Sequence, residues 1–142
     1  MNYTNFAEFI KDKREKMNPK IGQREFGRRL GVSSTYASQI ENGNSPAPSK
    51  EILKNIVQIL DLSYPEEEFM YNLAAKSQPY AAVPEDLVKY ITSNDLVRDF
   101  VHAMKNLNVT DKELKEIAEA VFQKRHQQYE KKTNFHHSKN RT

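Results

Sequence analysis

Residues 23–43 read QREFGRRLGVSSTYASQIENG, and the fold is decided there. Phe26 and Leu30 stand at i and i+4, which predicts a short helix from Gln23 to Leu30. Gly31 follows, a residue suited to the left-handed conformation in which helices end. Ser33 can then cap a further helix, Ser34 to about Asn42, which buries Ala37 and Ile40 and stops at Gly43. Only Gly31, Val32 and Ser33 separate the two helices.

A three-residue turn containing Gly between two short helices is the helix-turn-helix unit, whose helices cross steeply. That crossing needs a small residue where the second helix approaches the first, and Gly27 supplies it. Phe26, Leu30, Val32, Ala37 and Ile40 provide the apolar contacts that lock the pair. With that face buried, Ser34, Thr35, Ser38 and Gln39 point outward. Short polar side chains do little for helix propensity or solubility, but they form hydrogen bonds well with a surface pressed against them. The spacing therefore predicts that they face base edges in a major groove.

Upstream, Phe6, Phe9, Ile10, Lys13 and Met17 follow helical spacing, with Asn5 and Glu8 as a capping box. This predicts a helix from Phe6 to about Met17, ended by Asn18-Pro19. Downstream of the loop NSPAPS, a wide stripe of Ile52, Leu53, Ile56, Val57 and Leu60 marks a fourth helix. Ser63 and Glu66 open a fifth, burying Phe69, Met70 and Leu73. KSQPYAAVP, residues 76–84, reads as a linker with two prolines. Leu87, Val88 and Ile91 then mark a short helix, and the stripe from Leu96 to Leu107 a longer one. Thr110 and Glu113 cap a last helix carrying Leu114, Ile117, Ala118, Val121 and Phe122. From Lys131 the polar run KKTNFHHSKNRT has no pattern and is expected to be disordered.

The chain of 142 residues is 37% hydrophobic and 29% charged, with four glycines, no cysteine and no convincing alternating strand run. A helical domain with a modest core is expected. The absence of cysteine excludes disulfides, thiolate metal sites and a cysteine nucleophile. No apolar run approaches a membrane span and no signal-peptide core is visible, so the cytoplasm is the expected location. Residues 1–62 hold ten Lys/Arg against seven Asp/Glu, residues 63–130 eight against twelve, and the last twelve residues four against none. A polyanion would therefore meet the front or the tail. No nucleophile elbow, Gly-rich phosphate loop or metal-ligand spacing is present, so an enzyme, a metal site and a cofactor are not expected.

Residues 6–62, with their QREFGRRLGVSSTYASQIENG core, resemble the xenobiotic-response-element family, which includes the lambdoid phage repressors and Cro. The resemblance implies a compact five-helix domain binding palindromic double-stranded DNA as a dimer. By position it implies that Gln23 bonds a phosphate, that Ser34, Thr35, Ser38 and Gln39 face bases, and that Asn42 touches the backbone. Three features depart from the family pattern: Ala37 where a larger aliphatic residue is usual, Gly22 where Ser or Thr usually caps, and NPKI between the first two helices. FMYNLAAKS, VPEDLVKYI and LVRDFVHAMKNLNVTDKEL resemble, more loosely, regulators of prophages and integrative elements of Gram-positive bacteria. That likeness implies a C-terminal dimerisation region, and some such regulators are inactivated by an antirepressor or a dedicated protease.

The residues carry some of these roles independently. The positive end of the second helix, with Gln23 and Arg24 beside it, suits a phosphate. Gln39 can bind adenine through two hydrogen bonds. Arg28 and Lys20 add salt-sensitive affinity for any sequence. Tyr36 either meets the DNA backbone or a thymine methyl, or packs beside the fourth helix. The expectation is thus an all-α protein: a five-helix DNA-binding domain over residues 1–76, a linker over 77–84, a small helical dimerisation region over 85–130, and a basic tail over 131–142. Phe100, Met104, Ile117, Val121 and Phe122 are its dimerisation residues. The expected function is a dimeric repressor of a prophage or mobile element. An antitoxin acting on its own operator, and a protein-interaction adaptor without DNA binding, are the alternatives.

Overall fold

The computed structural model describes the backbone of residues 1–139, and the side chains of residues 1–128 and of Glu130. Among these residues all regular structure is helical. The helices are α1 (Phe6–Glu15), α2 (Gln23–Leu30), α3 (Ser34–Glu41), α4 (Lys50–Ile59), α5 (Tyr64–Lys76), α6 (Glu85–Ser93), α7 (Asp95–Asn106) and α8 (Asp111–Lys139). They fall into two compact units, Met1–Ser93 and a second beginning at Asn94.

Local chemistry sets most of the boundaries in the first unit. Asn5 caps α1 by accepting from the Glu8 amide at 2.8 Å, while the Glu8 carboxylate turns back to Thr4. Gly31 ends α2 at φ 72°, and Ser33 caps α3 by accepting from the Tyr36 amide at 3.1 Å. Ser63 and Glu66 form the expected capping box of α5. The core beneath these caps joins Phe9 and Ile10 of α1, Phe26 of α2, Ile40 of α3, Leu53 and Ile56 of α4, and Met70 of α5. Phe69, expected in the core, is only half-buried, and Tyr71 is buried in the same helix. Glu66 does more than cap: it also pairs with Lys13, joining α5 to α1.

Two boundaries differ from the sequence reading. The expected linker at 77–84 does not divide the units, and α6 packs on α5 within the first. The physical reason lies in a loop thirty residues earlier: the Ser77 hydroxyl accepts from the Ala47 amide at 2.8 Å, and Gln78 donates to the Ala47 carbonyl at 3.2 Å. The start of the proline-containing stretch is thereby tied down. The second difference is α8, which runs to Lys139, past the expected end at 130. No Gly or Pro interrupts residues 111–139, so nothing in the backbone chemistry stops it. The tail residues Asn140 to Thr142, Arg141 among them, lie outside the described residues, as do the side chains of Lys131, Lys132 and Lys139.

Candidate nucleic-acid interface

The interface is built on the crossing of α2 and α3. A Cβ added to Gly27 would stand 3.0 Å from the Ala37 Cβ and 3.5 Å from the Ser33 and Val32 carbonyls. Gly27 and Ala37 therefore fit each other. The alanine, smaller than the usual residue there, is what lets two short helices approach this closely. Phe26, Leu30, Ala37 and Ile40 are buried by the crossing, and Val32 and Tyr36 pack partly against the same core.

With those positions inside, the opposite face of α3 is fixed by helical periodicity. Ser34, Thr35 and Gln39 are exposed and Ser38 is half-buried beside them. The four lie within six residues, on a helix whose only charged residue, Glu41, is buried. Asn42 donates to the Ser38 hydroxyl at 3.1 Å, and Ser45 donates to the Gln39 amide oxygen at 3.4 Å. These are neutral, exposed hydrogen bonds of modest net value, readily exchanged for others.

A groove with polar side chains on its rim flanks each end of α3. One, of about 580 Å³, runs between the starts of α2 and α3 and is lined by Gly22, Arg24, Glu25, Arg28, Val32 and Ser34. The other, of about 600 Å³, brings Asn42, Asn44 and Ser45 beside Asn5 at the start of α1. Lys20 is exposed just before α2, and Tyr36 is half-buried against the core as well as being on α3.

Two carboxylates that the sequence reading passed over organise this face. Glu41, with a fully buried side chain, binds the Arg14 guanidinium through Nε at 2.5 Å and Nη2 at 3.0 Å, and accepts from the Gln23 amide at 2.8 Å. Arg14 also donates to the Ile21 carbonyl at 3.0 Å. One carboxylate thus holds α1, the turn before α2, the start of α2 and the end of α3. Its bond to Gln23 uses one of the two amide hydrogens and leaves the second for another acceptor. Arg14 could have been suspected from sequence, since it lies four residues after Ile10 on the apolar side of α1.

The second carboxylate is Glu25. It takes two hydrogen bonds from Arg28, at 2.8 and 2.7 Å, and one from Arg29 at 3.0 Å. The two guanidinium groups hold its pKa down at about 2. Arg28 is therefore engaged by an internal anion, whereas the sequence reading treats it as available to a phosphate. The i+3 and i+4 spacings were the signal for this clamp.

At the N-terminus of α2, Gly22 offers no capping side chain. The first-turn N–H groups have no intrahelical partner, and they carry the positive end of the helix dipole. A compact helical domain presenting a short polar helix, with an uncapped helix N-terminus and basic side chains beside it, has the geometry of a helix-turn-helix domain. Residues 10–66 match a family model described as Helix-turn-helix, which spans α2, α3 and α4 with most of α1 and the start of α5. The match supports a DNA-binding regulator of transcription. No curated protein and no solved structure matches the chain. No helix among the described residues is long and apolar enough to cross a membrane.

Proposed function

We propose that the chain is a sequence-specific double-stranded DNA-binding repressor acting as a homodimer on a two-fold symmetric operator. The observation that carries the reading is the outward polar face of Ser34, Thr35, Ser38 and Gln39, held on a close helix crossing with a groove at either end. In the proposed complex α3 enters the major groove and those four side chains meet base edges. Gln39, with a donor and an acceptor on one amide, pairs with adenine. Gln23 turns its second amide hydrogen, and the uncapped N–H groups of α2, toward a phosphate. Arg24 and Lys20 add charge along the same strand, and Asn42 meets the backbone at the far end of α3. Arg28 and Tyr36 are secondary, because Glu25 and the core already engage them.

Dimerisation is supported by α7 and α8, on which Phe100, Ile117, Val121 and Phe122 are exposed and Met104 is half-buried. A second copy covers them in the proposed assembly, and two half-sites then lie about one helical turn (roughly 34 Å) apart. The resemblance to regulators of prophages and integrative elements supports a repressor of such an element, with an antirepressor or protease as a further partner. Selection from a randomised duplex library at about 0.15 M salt, where binding by charge alone is weakened, tests the reading. Enrichment of a two-fold symmetric site is expected. A folded protein that enriches no sequence would overturn it.

A further inference from the structure

We infer that two copies of the chain join through α8 packed antiparallel on α8, each seated in the other's α7–α8 groove. The inference rests on the dimeric reading above and adds the direction of pairing, which that reading leaves open.

Three observations carry it. First, the second unit is unfinished alone. None of the side chains of α7 is buried, and Leu96 and Leu107 stand 78% and 77% exposed. Phe100 and Met104 of α7, with Leu114, Ile117, Val121 and Phe122 of α8, line an apolar groove of about 610 Å³. A helix pair with a groove that size and no buried residue among the described ones needs another apolar surface to cover it.

Second, the apolar stripe of α8, Leu114 to Phe122, is centred on Ala118, a small residue that allows close approach about a two-fold axis. Third, the charge on α8 is divided about that centre. Over the span that pairs about Ala118, residues 111–117 hold three acids and two bases, whereas residues 119–125 hold two bases and one acid. Antiparallel pairing sets each acidic half against a basic half, while parallel pairing sets like against like. Pairing about Ala118 puts Asp111 of one copy beside Arg125 of the other. The helix's own dipole accounts for Asp111 and Glu113 in the first turn. Its influence fades within a turn and does not reach the basic pair Lys124 and Arg125, while Glu116 and Glu119 stand four residues after Lys112 and Lys115. Antiparallel pairing sets Asp111 against Arg125 and brings Glu113 near Lys124, so a copy of this chain supplies the complementary charge at both ends of the stripe.

The chain has no cysteine, so introduced ones report without interference. Full-length Ala118→Cys, Asp111→Cys and Arg125→Cys are treated with a short bismaleimide, singly and as mixtures, alongside light scattering of the parent. Asp111 and Arg125 lie about 21 Å apart along the helix, too far for the reagent to confuse the two arrangements. The inference predicts a dimer, a cross-link of Ala118→Cys to itself, a cross-link in the mixture of Asp111→Cys with Arg125→Cys, and none with either alone. A dimer in which Asp111→Cys cross-links to itself and the mixture forms no mixed product overturns the antiparallel arrangement and leaves the dimeric reading standing. A monomer at all concentrations overturns both. Asp111→Lys with Glu113→Lys should weaken the dimer at least tenfold, and Lys124→Glu with Arg125→Glu added should restore it. Failure of the second pair to restore it counts against the pairing of halves.

Discussion

The first and second units carry the same sequence pattern and meet opposite fates. In the first, the stripes of α1 and α4 close over Phe9, Ile10 and Ile56, each with no exposed surface. In the second, the stripes of α7 and α8 leave Phe100, Ile117 and Phe122 about half exposed. Spacing at i, i+3 and i+4 says which face of a helix wants cover. It does not say whose surface provides it. The first unit's stability is accordingly internal, and under the proposed dimer the second unit's rises with protein concentration.

The largest test of that contrast is Glu41→Ala. It strands the Arg14 guanidinium in the first unit's interior, which should cost about 3–5 kcal/mol because a buried charge loses its partner. Urea unfolding of the full chain reads it, and the loss should not change with protein concentration. Next comes Phe122→Ala, which removes a ring from each side of the proposed dimer. A loss of about 1.5–3 kcal/mol for each buried side chain would raise the dissociation constant by at least tenfold. Sedimentation equilibrium measures that constant, while unfolding of the first unit should be unmoved. A matching loss in the first unit would break the contrast.

Gly27→Val tests the crossing itself. Its added carbons press on Ala37 and two carbonyls, and overpacking of this kind costs about 1–3 kcal/mol. Affinity for the selected site should fall with it, since α3 is displaced. The smallest effect expected is that of Glu25→Gln. Freed from their carboxylate, Arg28 and Arg29 should raise affinity for random duplex a few-fold and steepen its salt dependence. Because its folded pKa is depressed to about 2, the clamp's contribution is present above the usual carboxylate range and is lost only as pH falls through that value. Mild acidification should therefore leave it closed, and salt is the variable that opens it.

Legibility followed chain separation. The ends of α2 and α3 could be read from Gly31, Ser33 and Gly43 because caps and turns are local chemistry. The outward face of α3 followed from Ala37 and Ile40, since two buried positions fix the rotation of so short a helix. The Arg14–Glu41 bond was out of reach: its partners are 27 residues apart, and each sits on a helix whose pattern reads without it. The tie from Ala47 to Ser77 was hidden for the same reason, and with it the place of α6 in the first unit. Glu25 is different. Its spacing to Arg28 and Arg29 was in plain view, and reading basic residues as free cations passed over the acid between them.

The central claim is that α3 reads bases while the flanking grooves hold the backbone. Its most direct measurement is a fluorescence anisotropy series on the selected duplex, with every base pair of one half-site changed in turn, for the parent chain and for Gln39→Ala. The account predicts that the parent loses about 1–3 kcal/mol at an adenine position and that Gln39→Ala removes the preference there while keeping it elsewhere. A uniform loss across all positions, the same on random DNA, would contradict it.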